Sequence, residues 1–296
     1  MSVCWDRLIR FVATDGRTLR GEPILPDPDF DLGNTTEATG LKAKVITGDD
    51  IYDTTGATKV TDEVVTVKKL LGPLAQSEVP SVRCIGLNYI SHIKETGRKM
   101  PSYPFMFIKL STAVHDHDSP VVIPKIAQDT QPDYEGELCV VLGRDAKDVS
   151  ESDALSYVVA YTAGNDVSTR KLQRDPELAG PVPQWGFSKG FDTYAPLGPV
   201  LVSSRLVPDP ARLHLTTTVD GEARQSSGLD DLLFSVPYLI AYFSQGTTLQ
   251  KGTVIMTGTP GGVGSGQKPP RFLAPGTVME VHVSGIGTLR NGVEFA

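Results

Sequence analysis

Residues 132–143 read PDYEGELCVVLG, in which three carboxylates lead into an unbroken apolar run. Leu138, Val140, Val141 and Leu142 make this a strand that enters a buried core. Asp133, Glu135 and Glu137 fall at i, i+2 and i+4, so on a strand all three leave the same face, about 7 Å apart along the backbone. Such a row repels itself: two like charges brought to about 4 Å at an effective dielectric near 20 cost about 4 kcal/mol. Solvent removes that cost at an exposed acidic edge, and a bound cation removes it inside a protein. Because the strand continues into a core that does not tolerate unpaired carboxylates, an oxygen-ligand site for magnesium, manganese or calcium is the stronger reading.

A further carboxylate comes from YVVAYTAGNDVSTR, residues 157–170, where Asp166 follows an apolar strand and a Gly-Asn turn. That is a usual place for a site residue on a rigid scaffold, and equally for a helix N-cap. In GLNYISHIKETG, residues 86–97, His92 and Glu95 stand three apart, and one helical turn puts them on one face within reach of a shared water. Gly86 and Gly97 flank them and allow the turn to move as a lid. His115 and His117 in HDHD have no partner cluster and read as an exposed turn. His214 and His282 alternate with apolar residues and read as packing or surface positions.

The strand density continues on both sides. VRCIGL, FMFIKL, PVVIP, LHLTTTVDG, TVIMTG and VMEVHVSGIG are β-branched runs at short intervals, so a β-rich α+β fold is expected. Helices are expected only at SESDALSYV (150–158), STRKLQRDPEL (168–178) and GLDDLLFSVPYLIAYFSQ (228–245). Residues 1–77 have a different texture, short β-like pieces between turn signals at DGR, PDPD, GNTT and GDD, and end in a linker-like LLGPLAQSEVPS. They are read as a small N-terminal β-rich domain ahead of a larger sheet-rich domain at 78–296.

With 296 residues, 40% hydrophobic and 21% charged, the composition is that of a soluble globular protein. Lys plus Arg number 28 against 35 Asp plus Glu, so no basic footprint supports nucleic-acid binding. The longest apolar stretches, such as VPYLIAYF, fall far short of the roughly 20 residues that span a bilayer. Three scattered cysteines give neither a disulfide framework nor a zinc spacing, and the start MSVCWDRLIRF is not a secretory signal. A reducing compartment follows, the cytoplasm or the mitochondrial matrix. GGVGSG at 261–266 matches neither nucleotide-binding pattern, and the serine-hydrolase elbow and the HExxH zinc motif are both absent.

Taken in order, IGLNYISHIKE, PFMFIKL, DYEGELCVVLG, AGNDVSTRKLQ, QWGFSKGFDTYAPLGP and MTGTPGGVG resemble the fumarylacetoacetate hydrolase family over roughly residues 82–296. KPPRFLAPG at 268–276 resembles the eukaryotic domain-containing branch that carries an extra N-terminal segment. The resemblance implies a mixed β-roll catalytic domain, a homodimer, and magnesium or manganese held by Glu135, Glu137 and Asp166, with Asp133 as a supporting neighbour. It further implies that Arg170, Gln173 and Thr259 contact the substrate, and that His92, Glu95 and Lys189 are catalytic. The chain departs from the founding hydrolase in having no aspartate just ahead of Asn88-Tyr89, so fumarylacetoacetate itself is not the expected substrate.

The chemistry follows from such a site. A divalent ion chelated by a 2-oxo acid stabilises the enolate formed at C3, and a cation beside Lys189 lowers its pKa. The expected substrate is a small enolisable 2-oxo dicarboxylate, and the first expectation is oxaloacetate keto–enol tautomerisation. The alternative is C–C cleavage on the same site, as an acylpyruvase, a fumarylpyruvate-type hydrolase or an oxaloacetate decarboxylase. A catalytically silent metal-binding protein is the remaining reading.

Overall fold

The computed structural model describes residues 3–296. The strands are β1 (Arg7–Ala13), β2 (Thr18–Ile24), β3 (Lys42–Thr47), β4 (Lys59–Leu70), β5 (Val82–Gly86), β6 (Phe105–Lys109), β7 (Val114–His115), β8 (Val121–Ile123) and β9 (Pro132–Asp133). They continue as β10 (Gly136–Leu142), β11 (Val158–Asn165), β12 (Ser168–Thr169), β13 (Ala195–Ser203), β14 (His214–Val219), β15 (Glu222–Gly228), β16 (Val254–Met256), β17 (Val278–Val283) and β18 (Gly287–Phe295). Five short α-helices accompany them: α1 (Ile90–Glu95), α2 (Arg170–Arg174), α3 (Pro176–Ala179), α4 (Trp185–Lys189) and α5 (Val236–Phe243). This is the expected β-rich α+β fold.

The large sheet runs β2-β3-β4-β1-β13-β11-β10-β16-β5-β6, with β7 paired to β13. Its centre is buried on both faces: every residue of β10, β11 and β13 is buried, which is why these strands read as continuous apolar runs rather than alternating ones. A second sheet, β15-β14-β17-β18-β8, packs beside it. In the N-terminal segment β1 pairs with both β2 and β4, and β3 joins β2 to β4, so these four strands close on themselves. The first residues of β1 also pair with β13, Arg7 opposite Val202.

The helical expectations are trimmed. SESDALSYV forms only a 3-10 turn, Ala154–Tyr157, because Ser150 hydrogen-bonds Ser152 and Asp153 locally and competes with a helix. In STRKLQRDPEL the helix breaks at Asp175, held extended ahead of Pro176. In the third segment only Val236–Phe243 is α-helical, started by Ser235, whose side chain accepts from the Tyr238 amide, and by Pro237 in the first turn. The residues before it are taken by Asn88, which accepts from the Phe234 amide at 2.8 Å and donates to the Phe234 carbonyl at 3.1 Å.

HDHD is not an exposed turn. His117 is buried against Gly198, its Nδ1 accepts from the Arg290 amide, and His115 is half-buried with Nε2 on the Pro120 carbonyl. His214 and His282 lie on the exposed faces of β14 and β17. No helix among the described residues is long and apolar enough to cross a membrane.

Candidate active site

The site is built on the ends of two central strands. β10 and β11 run antiparallel with Gly136 opposite Asn165 and Glu137 opposite Gly164, so Glu135, just before the first strand, faces Asp166, just after the second. The Asp166 amide donates to the Glu135 carbonyl at 2.8 Å, and the Glu135 amide donates to Asn165 Oδ1 at 2.9 Å. These bonds fix both side chains on rigid backbone. Carboxylate oxygens of Glu135, Glu137 and Asp166 lie within 4.8 Å of one another, and all three residues are buried.

Asp133 does not share their face. The expected continuous strand is interrupted at Tyr134 and Glu135, and Asp133 belongs instead to the short pairing of β9 with β12. Its carboxylate accepts from the amides of Gly264 and Ser265, at 2.7 and 2.9 Å, and from Arg170 Nε at 2.7 Å. It thus ties the 261–266 loop to α2, and Gly264 has no room for a side chain there.

Three cations answer the carboxylates. Lys189, fully buried at the end of α4, donates to Glu135 Oε2 at 2.9 Å, to Asp166 Oδ2 at 2.6 Å and to Ser168 Oγ at 2.6 Å. Arg170 Nη1 pairs with Glu135 Oε1 at 2.6 Å. Lys109, equally buried, donates to the Tyr194 and Val167 carbonyls and lies 2.5 Å from Asp166 Oδ1 as an ion pair off hydrogen-bond geometry. Burial resists the charge on Lys189, but Asp166 and Glu135 outweigh it and raise its pKa. For Glu135, burial likewise opposes ionisation, and Lys189 and Arg170 overcome it, bringing its carboxyl down to about 2.

Glu137 is the exception. It accepts from the Gly258 amide through Oε2 at 2.6 Å, while its Oε1 is buried with no hydrogen-bond partner. Burial first, then repulsion from Asp166 and Glu135, pushes its carboxyl well above the usual range. The centre therefore buries four carboxylates, Asp133, Glu135, Glu137 and Asp166, against three cations, Lys109, Arg170 and Lys189. A hard divalent ion would supply positive charge and give the orphaned oxygen a partner, so the donor set fits magnesium or manganese.

Above this floor opens a cavity of about 270 Å³, bordered by Glu135, Arg170, Gln173 and Thr259 below and by His92 and Trp185 above. Arg170 Nη2 is buried without a partner. Gln173 accepts from Arg170 Nη1 at 3.3 Å. Thr259 is more committed: its hydroxyl donates to the Gly136 carbonyl at 2.9 Å and accepts from Gln225 at 2.7 Å.

The lid side is α1. His92 Nδ1 lies 3.9 Å from Glu95 Oε2, with the His side chain 19% and the Glu side chain 69% exposed. Burial lowers the His92 pKa, and Glu135 and Glu95 partly offset it. The dyad sits over Gly261, where a Cβ would lie 2.6 Å from Glu95 Oε2 and 3.2 Å from His92 Nδ1. Leu87, on the cavity wall, holds a left-handed φ of 59°, a conformation that costs about 1–3 kcal/mol and persists only where its surroundings enforce it. The three bonds of the neighbouring Asn88 side chain, to Phe234 and to the Thr257 carbonyl, supply that enforcement.

Of the nine expected site residues, His92, Glu135, Arg170, Gln173 and Thr259 line the cavity, Glu137, Asp166 and Lys189 cluster with Glu135, and Glu95 stands beside His92. Lys109, Ser168 and Asn88 were not singled out from the sequence. A lysine inside the apolar run PFMFIKL was a signal for the first; nothing in the sequence distinguished the other two.

Comparison with known proteins supplies the context. The family described as fumarylacetoacetate (FAA) hydrolase C-terminal matches residues 81–294. Caffeoylpyruvate hydrolase from Neonothopanus nambi is 40% identical over 299 residues, covering 99% of this chain and 95% of its own. Oxaloacetate tautomerase YisK from Bacillus subtilis is 39% identical over 227 residues, 76% of this chain and 73% of its own. The crystal structure of 2-hydroxyhepta-2,4-diene-1,7-dioate isomerase from Mycobacterium marinum superposes with a TM-score of 0.74 at 31% identity, covering 99% of both chains.

Proposed function

This chain is a member of the fumarylacetoacetate hydrolase family and an enzyme of that family, and from that premise we propose that it hydrolyses the C–C bond of an acylpyruvate-type 2-oxo acid. The observation that carries this reading is the His92–Glu95 dyad, set across the cavity from Arg170 and Glu135. Cleavage by water requires an activated nucleophile, which tautomerisation does not. Similarity to a caffeoylpyruvate hydrolase over nearly the whole chain supports it further.

In this reading Arg170 Nη2 and Gln173 take the substrate carboxylate, and Glu135, Glu137 and Asp166 would hold magnesium or manganese. When bound, such an ion supplies Lewis acidity toward the carboxylate and 2-oxo oxygens. A water hydrogen-bonded to His92 Nδ1 and Glu95 gives its proton to the imidazole as its oxygen attacks the acyl carbonyl carbon. The bond from that carbon to C3 breaks, its electron pair stays on C3 as the pyruvate enolate, and the proton returns to C3. Pyruvate and a carboxylic acid leave. Lys189 keeps Glu135 and Asp166 in register throughout.

Oxaloacetate keto–enol tautomerisation is the second reading, favoured by the similarity to YisK. The two separate in one experiment with purified protein and magnesium, following enol absorbance and pyruvate release for oxaloacetate and for acetylpyruvate, with an EDTA control. Pyruvate from acetylpyruvate, reduced about 10²- to 10⁴-fold by His92→Ala, supports hydrolysis. Loss of oxaloacetate enol without pyruvate, surviving His92→Ala, assigns the tautomerase instead.

Three coarser expectations belong with this reading. A homodimer is supported by Tyr103, Phe105, Met106, Ile108 and Leu110, which stay exposed along the β6 edge of one chain, and sedimentation equilibrium tests it. The cytoplasm or the mitochondrial matrix is supported by three free cysteines, and fractionation tests that. The division into 1–77 and 78–296 is supported by the closed pairing of β1 to β4, and limited proteolysis between the two segments tests it.

A further inference from the structure

Gln225 lies on β15, at the edge of the second sheet, and is buried. Its carboxamide is bonded in three directions. Oε1 accepts from the Gly136 amide at 3.0 Å, and Nε2 donates to the Pro260 carbonyl at 2.9 Å and to Thr259 Oγ1 at 2.7 Å. A backbone N–H can only donate and a carbonyl can only accept, so these partners fix which end of the carboxamide is which. Thr259 Oγ1 in turn donates to the Gly136 carbonyl at 2.9 Å. The ring of bonds closes on Gly136, the residue between Glu135 and Glu137, and on Thr259, which lines the cavity. A Cβ at position 136 would lie 2.0 Å from Thr217 Oγ1 and 3.3 Å from Gln225 Oε1, and Thr217 is the cross-strand partner of Gln225. The second sheet therefore presses directly on the strand end that carries the carboxylates. A hydroxyl has a single proton, and that of Thr259 is committed to Gly136, so toward a ligand its oxygen can only accept.

We propose that Gln225 is a positioning residue that acts through Thr259, holding its oxygen at the cavity wall with the proton turned away, so that Thr259 accepts a hydrogen bond from the ligand and gives none. The group it reads is a donor, such as the hydroxyl of an enolised 2-oxo acid, and not a carboxylate. The inference rests on the acylpyruvate reading for the ligand, but not for its cleavage.

The test uses acetylpyruvate as substrate and oxalate, which has two carboxylates and no donor, as inhibitor, with the full-length protein and magnesium. Gln225→Met and Thr259→Val are each expected to lower kcat/KM for acetylpyruvate about five- to tenfold, the size of one hydrogen bond, and to leave the oxalate inhibition constant within about twofold of wild type. In the double variant the two losses should not add, whereas Thr259→Ser, which keeps the hydroxyl, should stay sensitive to Gln225→Met. No loss with acetylpyruvate, an equal loss with oxalate, or full additivity with Thr259→Val overturns the proposal and leaves Gln225 a support of the floor alone. Should Gln225→Met fail to fold, Gln225→Glu keeps the bond to the Gly136 amide and loses both donations. It is compared in the Thr259→Ser and Thr259→Val backgrounds, where its added charge is common to both. If wild type does not cleave acetylpyruvate, the hydrolase reading fails, and calorimetric dissociation constants of the two compounds replace the kinetic ones. A loss confined to acetylpyruvate then supports the positioning role by itself, while an equal loss, no loss or undetectable binding of acetylpyruvate rejects it.

Discussion

The two sides of the cavity are built on opposite principles. The floor is made of strand ends and the helices α2 and α4 against them, it is buried, and nearly every charge on it is answered at 2.5–2.9 Å by a cation or a backbone amide. The other side is a six-residue helix whose His92–Glu95 pair stands 3.9 Å apart, with Glu95 mostly in solvent. A preorganised electrostatic centre has to be rigid, because its value lies in not reorganising during the reaction. In the proposed hydrolysis, a group that activates water and then admits product release has to be only loosely held. Fold stability is therefore concentrated on one side of the cavity and adaptability on the other.

The sharpest way to break this comparison is through stability. Asp166→Ala leaves Lys109 and Lys189 buried without their shared partner, and removing one member of a buried ion pair costs about 3–5 kcal/mol. Glu95→Gln, on the exposed side, is expected to stay within about 0.5 kcal/mol of wild type. Urea unfolding of EDTA-treated protein measures both, and equal losses would show that the floor is not the stiffer side. Next in size is the effect of the ion. Magnesium at a hundredfold excess over its Kd is expected to stabilise wild type by about 2.7 kcal/mol, visible as a raised Tm. Glu137→Gln is expected to abolish that rise, since it neutralises the one carboxylate that the protein leaves without a cation.

The two sides were also unequally legible in the sequence. The floor could be read because Glu135 and Glu137 precede an apolar run that commits them to burial, and because Asp166 ends another such run. What could not be read is how the charges are matched: Lys109 reaches Asp166 from a strand 57 positions away in sequence, and the break at Tyr134 that turns Asp133 toward the 261–266 loop leaves no trace in the alternation. The lid pair was legible as a helical spacing, yet that spacing does not reveal which surface it faces. Helix α5 came out at half its expected length because the apolar residues at 232–234 serve a loop fastened to Asn88, and periodicity cannot separate these uses. His117 looked exposed because its neighbours are polar, and it is buried by strand β13, remote in sequence.

A smaller effect concerns pH. In the proposed hydrolysis His92 must be neutral to accept a proton from water, and burial lowers its pKa below the ordinary 6.5. The acid limb of kcat/KM is therefore expected at lower pH than an ordinary imidazole gives, with activity falling as pH drops through the depressed pKa. Glu95 pushes that pKa up, so Glu95→Gln is expected to move the acid limb to still lower pH. A pH–rate profile whose limb stays fixed in Glu95→Gln would assign the titration to another group.

The smallest expected effect lies where the two sides touch. The loop that follows β16 carries Thr259 on the floor and, two residues on, Gly261 under the dyad. A methyl group at 261 would come within 2.6 Å of Glu95 Oε2, too close to remain, but Glu95 is a flexible chain with solvent beside it and can swing out at little cost. Gly261→Ala should therefore leave the urea midpoint near that of wild type while separating Glu95 from His92, lowering kcat about two- to tenfold, a fraction of the usual worth of a positioned acid–base group. In the double variant with Glu95→Gln the two losses should not add, because both act by uncoupling the same pair. Full additivity would mean that Gly261 serves the floor instead, and that the lid is positioned by its attachment to Asn88 alone.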